Sequence, residues 1–394
     1  MSPLAITDYT LTSAIGTGRA AALANLREGR SGLRRRRFET AALDTWIGEV
    51  PGVDEVRVPA PLAEFDCRNN RLAWLGLQAD GFAASVAAAR ARHGARRIAL
   101  VLGTSTSGIL SSEQAYRRRD PDSGALPPDF HYAGTLNTGS LTAFVGAALG
   151  LDGPSFVIST ACSSSAKAYA AAARLIELGL ADAAVVGGVD SLCLHTLYGF
   201  DALELLSPEI CRPWDAGRRG LSLGEAAAFA LLERDAARPR AWLLGAGESS
   251  DGYHMSAPHP EGAGAADAIR AALAAARLAP GDIDYVNLHG TGTASNDLAE
   301  DTAMHDVFGA HVACSSTKGA TGHTLGAAGA VEAAISLLAL EHGVMPGGAN
   351  RIAPDPALGA RYLDASVEAP LRRVASNSFG FGGSNACLVF GAAA

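Results

Sequence analysis

The sequence predicts a layered α/β fold built from two similar halves. Three observations carry that expectation. Short β-branched runs alternate with Ala-rich helical stretches along all 394 residues, the pattern of strands covered by helices with largely parallel pairing. Three signals also recur in the same order. A strand enters a Gly/Thr turn at residues 100–106 and 285–293, a small-residue turn enters an Ala-rich helix at Cys162 and at 317–334, and a strand ends in glycines at 185–188 and 374–383. Such repetition points to a duplicated unit. Composition does not change at the join near residue 245, so halves 1–245 and 246–394 are expected to form one tightly packed body.

Taken in chain order, residues 20–27 read as a helix closed by Gly29, and the following run Arg34 to Arg37 reads as a solvated face. Residues 70–92 read as one long helix ending at His93-Gly94, and 98–102 as a buried strand entering the loop 103–108. The polar, Pro-bearing span 116–132 reads as an irregular excursion, and 140–150 as a small-residue helix. Apolar strands at 183–186, 223–232 and 241–245 continue the alternation. Hydrophobic residues at 48% and charged residues at 18% describe a globular chain. The net charge of −8 argues against nucleic acid and anionic membranes as general partners. Six cysteines without C-x-x-C or zinc-type spacing predict reduced thiols, with neither a metal site nor a disulfide framework. The N-terminus lacks a signal-peptide pattern and no apolar run reaches roughly 18–20 residues, which predicts a cytoplasmic protein.

Chemistry concentrates at four places. Phe156, Val157 and Ile158 form a short strand, small residues lead to Cys162, and an Ala-rich helix runs on to Gly179. Ser163, Ser164 and Ser165 suit a helix start, where hydroxyls accept from free amides. A thiol at the positive end of a helix is expected to have a lowered pKa and to serve as a nucleophile. His289 closes a strand in N-L-H-G-T-G-T, and Lys318 precedes His323 by five residues in T-K-G-A-T-G-H. Taken singly, each of these is as well explained by a satisfied core residue. Both histidines nevertheless lie in turns after strands, where open α/β sheets gather their sites. One thiol and two imidazoles so placed point to thioester or acyl chemistry. The last place is N-S-F-G-F-G-G-S-N at 377–385, a turn whose amides can face a developing oxyanion. No G-K-[ST] follows it, so it is not a phosphate loop.

Together and in order, T-A-C-S-S-S, H-G-T-G-T, T-K-G-A-T-G-H and N-S-F-G-F-G-G-S-N resemble the motifs of the β-ketoacyl-acyl carrier protein synthases of thiolase fold. L-R-E-G-R-S-G, R-P-W-D and S-D-G-Y-H-M agree, and the resemblance spans essentially the whole chain. It implies a thiolase-like fold, with two duplicated α/β halves in α-β-α-β-α layers around mixed sheets. It also implies a 3-oxoacyl-[acyl-carrier-protein] synthase, an acyltransferase of fatty-acid or polyketide/polyene-type biosynthesis. By that resemblance Cys162 takes an acyl group from the phosphopantetheine of a carrier protein, and malonyl-carrier protein then loses carbon dioxide. His289 and His323 donate hydrogen bonds to the thioester oxygen of that enolate. The amides of Cys162 and Phe381 hold the tetrahedral oxyanion, and Phe381, flanked by Phe379 and Gly380, resembles the gating phenylalanine. Lys318 matches a lysine of electrostatic and structural role, Glu332 matches the glutamate that orders it, and Asp297 is a further supporting residue. The two-histidine pattern resembles the elongating synthases, because the chain-starting branch pairs His with Asn and thiolases use a second cysteine.

The same resemblance implies no tightly bound cofactor and no metal, since the phosphopantetheine arrives on the carrier protein. Such carriers are acidic, and Arg68, Arg71, Arg117, Arg118 and Arg119 lie where basic docking patches occur. The implied assembly is a homodimer, or a heterodimer with a ketosynthase-like chain-length partner, joined through the strand before the cysteine. Neither nucleic acid nor membrane is an implied partner. Departures from the pattern include Thr106 where a bulky aliphatic commonly lines the acyl pocket, Ala294 where proline is common, and a short segment 206–215. They favour a dedicated pathway over bulk fatty-acid synthesis. The alternative reading is a non-catalytic chain-length-determining partner, although such subunits typically lose the nucleophile kept here. A third is a thiolase or cysteine-dependent acyltransferase acting on coenzyme A thioesters.

Overall fold

Val, Ile, Leu and Ala fill the buried strands of the computed structural model, which describes residues 1–393. In the first half, β1 (Leu4–Ser13), β2 (Ile98–Gly103), β3 (Ser155–Ile158), β4 (Ala183–Asp190) and β5 (Ala226–Glu233) lie in the order β1-β5-β4-β2-β3. In the second half, β6 (Ala241–Ser250), β7 (Tyr285–Asn287), β8 (Ala313–Ser315), β9 (Arg373–Gly380) and β10 (Ser384–Ala392) lie in the order β6-β10-β9-β7-β8. The pairings repeat as well. The first two pairs of each half are antiparallel and the next two parallel, so the sheets are mixed where strand-helix alternation alone favours parallel pairing. By topology the second copy begins with β6 at Ala241. Leu4 to Ile6 of β1 pair with Ala241 to Leu243 of β6, which joins the two sheets along one edge.

The two central helices, Ser164–Glu177 and Ala328–His342, are Ala-rich because both faces are covered. Their side chains share one core with β1, β4 and β5 on one side and β9 and β10 on the other. Outer cores cover the remaining faces, one built with Phe82, Val86 and Phe144, the other with Ile269, Met304 and Phe308. The result is the five-layered α-β-α-β-α arrangement. Small residues are needed where the central helices meet, since a Cβ at Gly329 would lie 2.6 Å from the backbone nitrogen of Ala166. Helical residues 325–342 average a hydropathy of 1.3, long and apolar enough for a membrane span, yet 89% of the stretch is buried as this core element. Sequence reading found no run of that length because Glu332 and Glu341 interrupt it.

The long helix expected over 70–92 is instead two, Arg68–Gln78 and Phe82–His93. Asp80 and Gly81 between them both have positive φ, 57° and 75°, a conformation Asp tolerates when its side chain is locally bonded. The Asp80 carboxylate accepts from the Arg19 amide at 3.0 Å and from Thr10 Oγ1 at 2.9 Å, tying the break to β1 and to the start of helix Arg19–Arg27. Asp80→Ala is expected to lower stability by about 2 kcal/mol, the scale of hydrogen bonds to a charged group, as read by urea unfolding. An unchanged midpoint would contradict this role.

Candidate active site

Cys162 sits between β3 and the first central helix, as its strand-to-helix setting requires, and is 5% exposed. Ala161 before it has φ 52°, an uncommon conformation for a residue with a Cβ. The serines do not cap their own helix. Ser164 Oγ donates to the Ala161 carbonyl at 2.5 Å and accepts from the Thr160 amide at 2.9 Å, bracketing the tight turn. Ser163 Oγ reaches Ser384 Oγ at 3.1 Å, and Ser165 Oγ accepts from the Ala330 amide, so all three hydroxyls fasten the turn and the two halves.

Both histidines converge on the sulfur from the second half. His323 Nε2 is 3.1 Å from Cys162 Sγ, and the His289 ring stands edge-on to the His323 ring at 84°, centroids 5.3 Å apart. Their second nitrogens are already occupied by donors. Leu325 N–H points at His323 Nδ1 (3.2 Å), and Lys318 Nζ at His289 Nδ1 (3.3 Å). An amide and an ammonium offer no acceptor, so each neutral ring carries its proton on Nε2. Burial, with the Lys318 charge nearby, holds both imidazoles well below the ordinary histidine range and therefore neutral. Sγ and the two rings are close enough to suggest a metal cluster, with ligand atoms within 4.8 Å. The fixed tautomers present N–H groups there rather than the lone pairs a metal needs.

The support lies deeper. Lys318 Nζ donates to the His289 carbonyl at 2.5 Å and to Glu332, all three groups being buried. Burial raises the Glu332 carboxyl to about 7, with Lys318 pulling it back. Asp297 accepts from the Trp214 amide at 3.0 Å and the Gly292 amide at 3.2 Å, fastening the His289 turn to the segment around Trp214. Ala294 is the first residue of helix Ala294–Phe308, the position proline also suits. Phe379 packs 5.9 Å from the His289 ring, while the Phe381 amide points at Sγ and its ring lies 5.6 Å from Phe200. A Cβ at Gly380 would stand 2.9 Å from the Thr160 carbonyl, so glycine permits this turn to approach the cysteine. Sequence reasoning missed Glu300, which accepts from the amides of His289 (2.8 Å) and Gly290 (2.7 Å), and Ser222, whose carbonyl accepts from the His323 amide (2.7 Å). The signal for Glu300 is a charged residue on a helix face that is otherwise buried.

Three expectations are corrected. Burial pushes the Cys162 thiol up to about 12, against the pull of Lys318 and the Phe381 amide, where its place at a helix start predicted a lowered value. Thr106 does not line the cavity that ends at Cys162; its hydroxyl donates to buried Asp190 at 2.6 Å and turns away. Arg68 is not a docking residue, because it is buried beneath Glu225, Asp54 and Glu49, with bonds of 2.7 to 3.2 Å. Arg71 and Arg118 are paired with Asp66 and Asp129. Arg117 hydrogen-bonds to Thr40 Oγ1, and neither it nor Arg119 has an acidic partner among the described residues.

Fold and site thus define a thiolase-like enzyme of acyl transfer. A model for the N-terminal domain of β-ketoacyl synthases matches residues 1–237, and one for the C-terminal domain matches 240–351. Nodulation protein E of Rhizobium meliloti (strain 1021) is 38% identical over 310 residues, 75% of this chain and 76% of that protein. 3-oxoacyl-[acyl-carrier-protein] synthase 2 of Staphylococcus aureus is 34% identical over 312 residues, 75% of this chain and 77% of that one. A chain in the structure of the ketosynthase ApeO in complex with its chain length factor ApeC from Xenorhabdus doucetiae superimposes with TM-score 0.90 at 40% identity, covering 100% of this chain and 98% of that one. The chain belongs to the β-ketoacyl synthase family. It is a 3-oxoacyl-[acyl-carrier-protein] synthase, joining an acyl group to malonyl-carrier protein with loss of carbon dioxide, and the phosphopantetheine it meets is borne by the carrier.

A thiol with a raised pKa is mostly protonated at neutral pH, and its thiolate fraction grows until that pKa is reached. Alkylation of Cys162 by iodoacetamide is therefore expected to keep accelerating from pH 7 to pH 10. A plateau below pH 8 would show a lowered pKa instead.

Proposed function

We propose that Cys162 is the acyl-accepting nucleophile and that His289 and His323 act as a pair of hydrogen-bond donors. In the first half-reaction the sulfur bonds to the acyl carbonyl carbon. The carbon–sulfur bond to phosphopantetheine breaks, and the pantetheine thiol leaves with the proton that Cys162 gives up. The Phe381 amide and the Cys162 amide receive the oxyanion of that step. In the second, loss of carbon dioxide from the malonyl thioester leaves an enolate, whose oxygen accepts from both Nε2–H groups. Its carbon attacks the acyl carbonyl on Cys162, a carbon–carbon bond forms, and the carbon–sulfur bond breaks, the cysteine leaving as a thiolate that takes up a proton from solvent. The observation that carries this reading is the pair of donors facing Nδ1, the Leu325 amide and Lys318 Nζ, which leaves Nε2 as the protonated nitrogen of each ring and a donor where negative charge develops. Lys318, Glu332, Glu300 and Asp297 serve as positioning residues.

The partners follow from charge and from edges. Arg117 and Arg119 are the unpaired members of the basic cluster and are proposed to meet the acidic carrier protein. Strand β3 is the outermost strand of its half and exposes Phe156 at 39%. An open strand edge of this kind seeks a partner strand, and we infer a dimer formed across it. The likeness to a ketosynthase solved with a chain length factor favours a heterodimer in a dedicated pathway, with this chain as its catalytic member. Six cysteines free of disulfides fit a cytoplasmic compartment.

Intact-mass spectrometry with acyl-carrier protein and malonyl-carrier protein tests the whole reading. Wild type is expected to gain the acyl mass on Cys162, Cys162→Ala to gain none, and the pair Arg117→Glu with Arg119→Glu to acylate more slowly. Acyl gain by Cys162→Ala would overturn the nucleophile. Unchanged rates in the arginine variant would overturn the docking surface.

A further inference from the structure

The acyl group on Cys162 needs room, and the whole cavity that reaches the sulfur offers only about 50 Å³. That holds a few waters and no long acyl chain. Part of the cavity lining is polar, with Thr291, Thr293, Ser295 and Asn296, and suits the amide-rich pantetheine arm. Part is apolar, with Phe200, Leu205 and Leu221, and suits a hydrocarbon. Phe200 belongs to the helix Leu194–Ala202. The opposite face of that helix borders an open groove of about 660 Å³, lined by Leu194, His195, Tyr198 and Gly199. A single short helix thus separates the cramped acyl space from an open one.

The start of this helix is held from outside. No side chain of its own caps it. Its first amides, Leu194 and His195, are instead received by the Glu113 carboxylate at 3.1 and 2.6 Å, from the neighbouring helix Ile109–Arg117. We infer that Glu113 is a specificity-determining residue: it clamps the helix Leu194–Ala202 in place and so sets the length of acyl group that Cys162 accepts. A longer chain moves Phe200 and its helix outward into the groove, and that movement strains the two amide–carboxylate bonds. This inference rests on the proposed role of Cys162 as acyl acceptor.

Two variants push in opposite directions. In Glu113→Gln the shape is kept, the charge is lost, and an NH2 group faces an amide, so the helix is released. In Gly199→Leu the new side chain enters free space, since a Cβ there meets nothing within 4 Å, and fills the groove into which the helix would move. Cys162 acylation by acetyl-, hexanoyl- and dodecanoyl-carrier protein is read by intact mass, beside the thermal midpoint of each variant. The dodecanoyl-to-acetyl rate ratio is expected to rise about tenfold or more in Glu113→Gln, the scale of one lost charged hydrogen bond, and to fall in Gly199→Leu. A merely structural Glu113 lowers all three rates together, and unchanged ratios in both variants would overturn the inference while leaving wild-type acylation, and with it the site, intact. Failure of wild type to acylate with any of the three would instead bring down the reading of the site and this inference with it.

Discussion

Two ring nitrogens that already accept hydrogen bonds govern this site. Lys318 Nζ and the Leu325 amide occupy Nδ1 of His289 and His323, which leaves the proton of each ring on Nε2; His323 Nε2 lies against Cys162 Sγ, and the His289 ring stands beside them. In a buried site such donors are stronger than in water and need no reorganisation as charge develops. Everything nearby can be traced to keeping them there. Glu332 anchors Lys318, Glu300 takes up the amides under His289, and Ser222 holds the backbone of His323. Leu325 itself adopts φ 53° to deliver its amide, a conformation that a side chain makes costly.

The duplicated fold explains how one point collects these groups. Each half brings the ends of its parallel strands to the same side, and the central helices pack back to back behind them. The first half supplies the sulfur after β3, and the second supplies the imidazoles after β7 and β8. The glycine turn between β9 and β10 then closes on the cysteine from the side, where Gly380 leaves no room for a Cβ. Serine hydroxyls of the nucleophile turn and of β10 meet across the join.

Much of this was legible from residues alone. The order of strand, turn and helix in both halves, and Cys162, His289, Lys318 and His323 in their turns, stood in motifs whose spacing survives folding. What was not legible depended on partners far away in sequence. Arg68 reads as a surface cation until buried Glu225, just before β5 and more than a hundred residues on, is placed beneath it. Thr106 reads as a pocket residue until Asp190 claims its hydroxyl. The helix start at Cys162 promises a thiolate, but full burial outweighs it, and burial is not written in local sequence. The break at Asp80 was hidden because Leu and Ala continue helical periodicity on both sides.

The donor role of the two imidazoles is tested most directly by nitrogen-15 NMR of the histidine side chains in the resting enzyme at pH 7. Both His289 and His323 are expected as neutral rings protonated on Nε2 with Nδ1 bare. A proton on Nδ1 of either ring, or a charged imidazolium, would contradict that role.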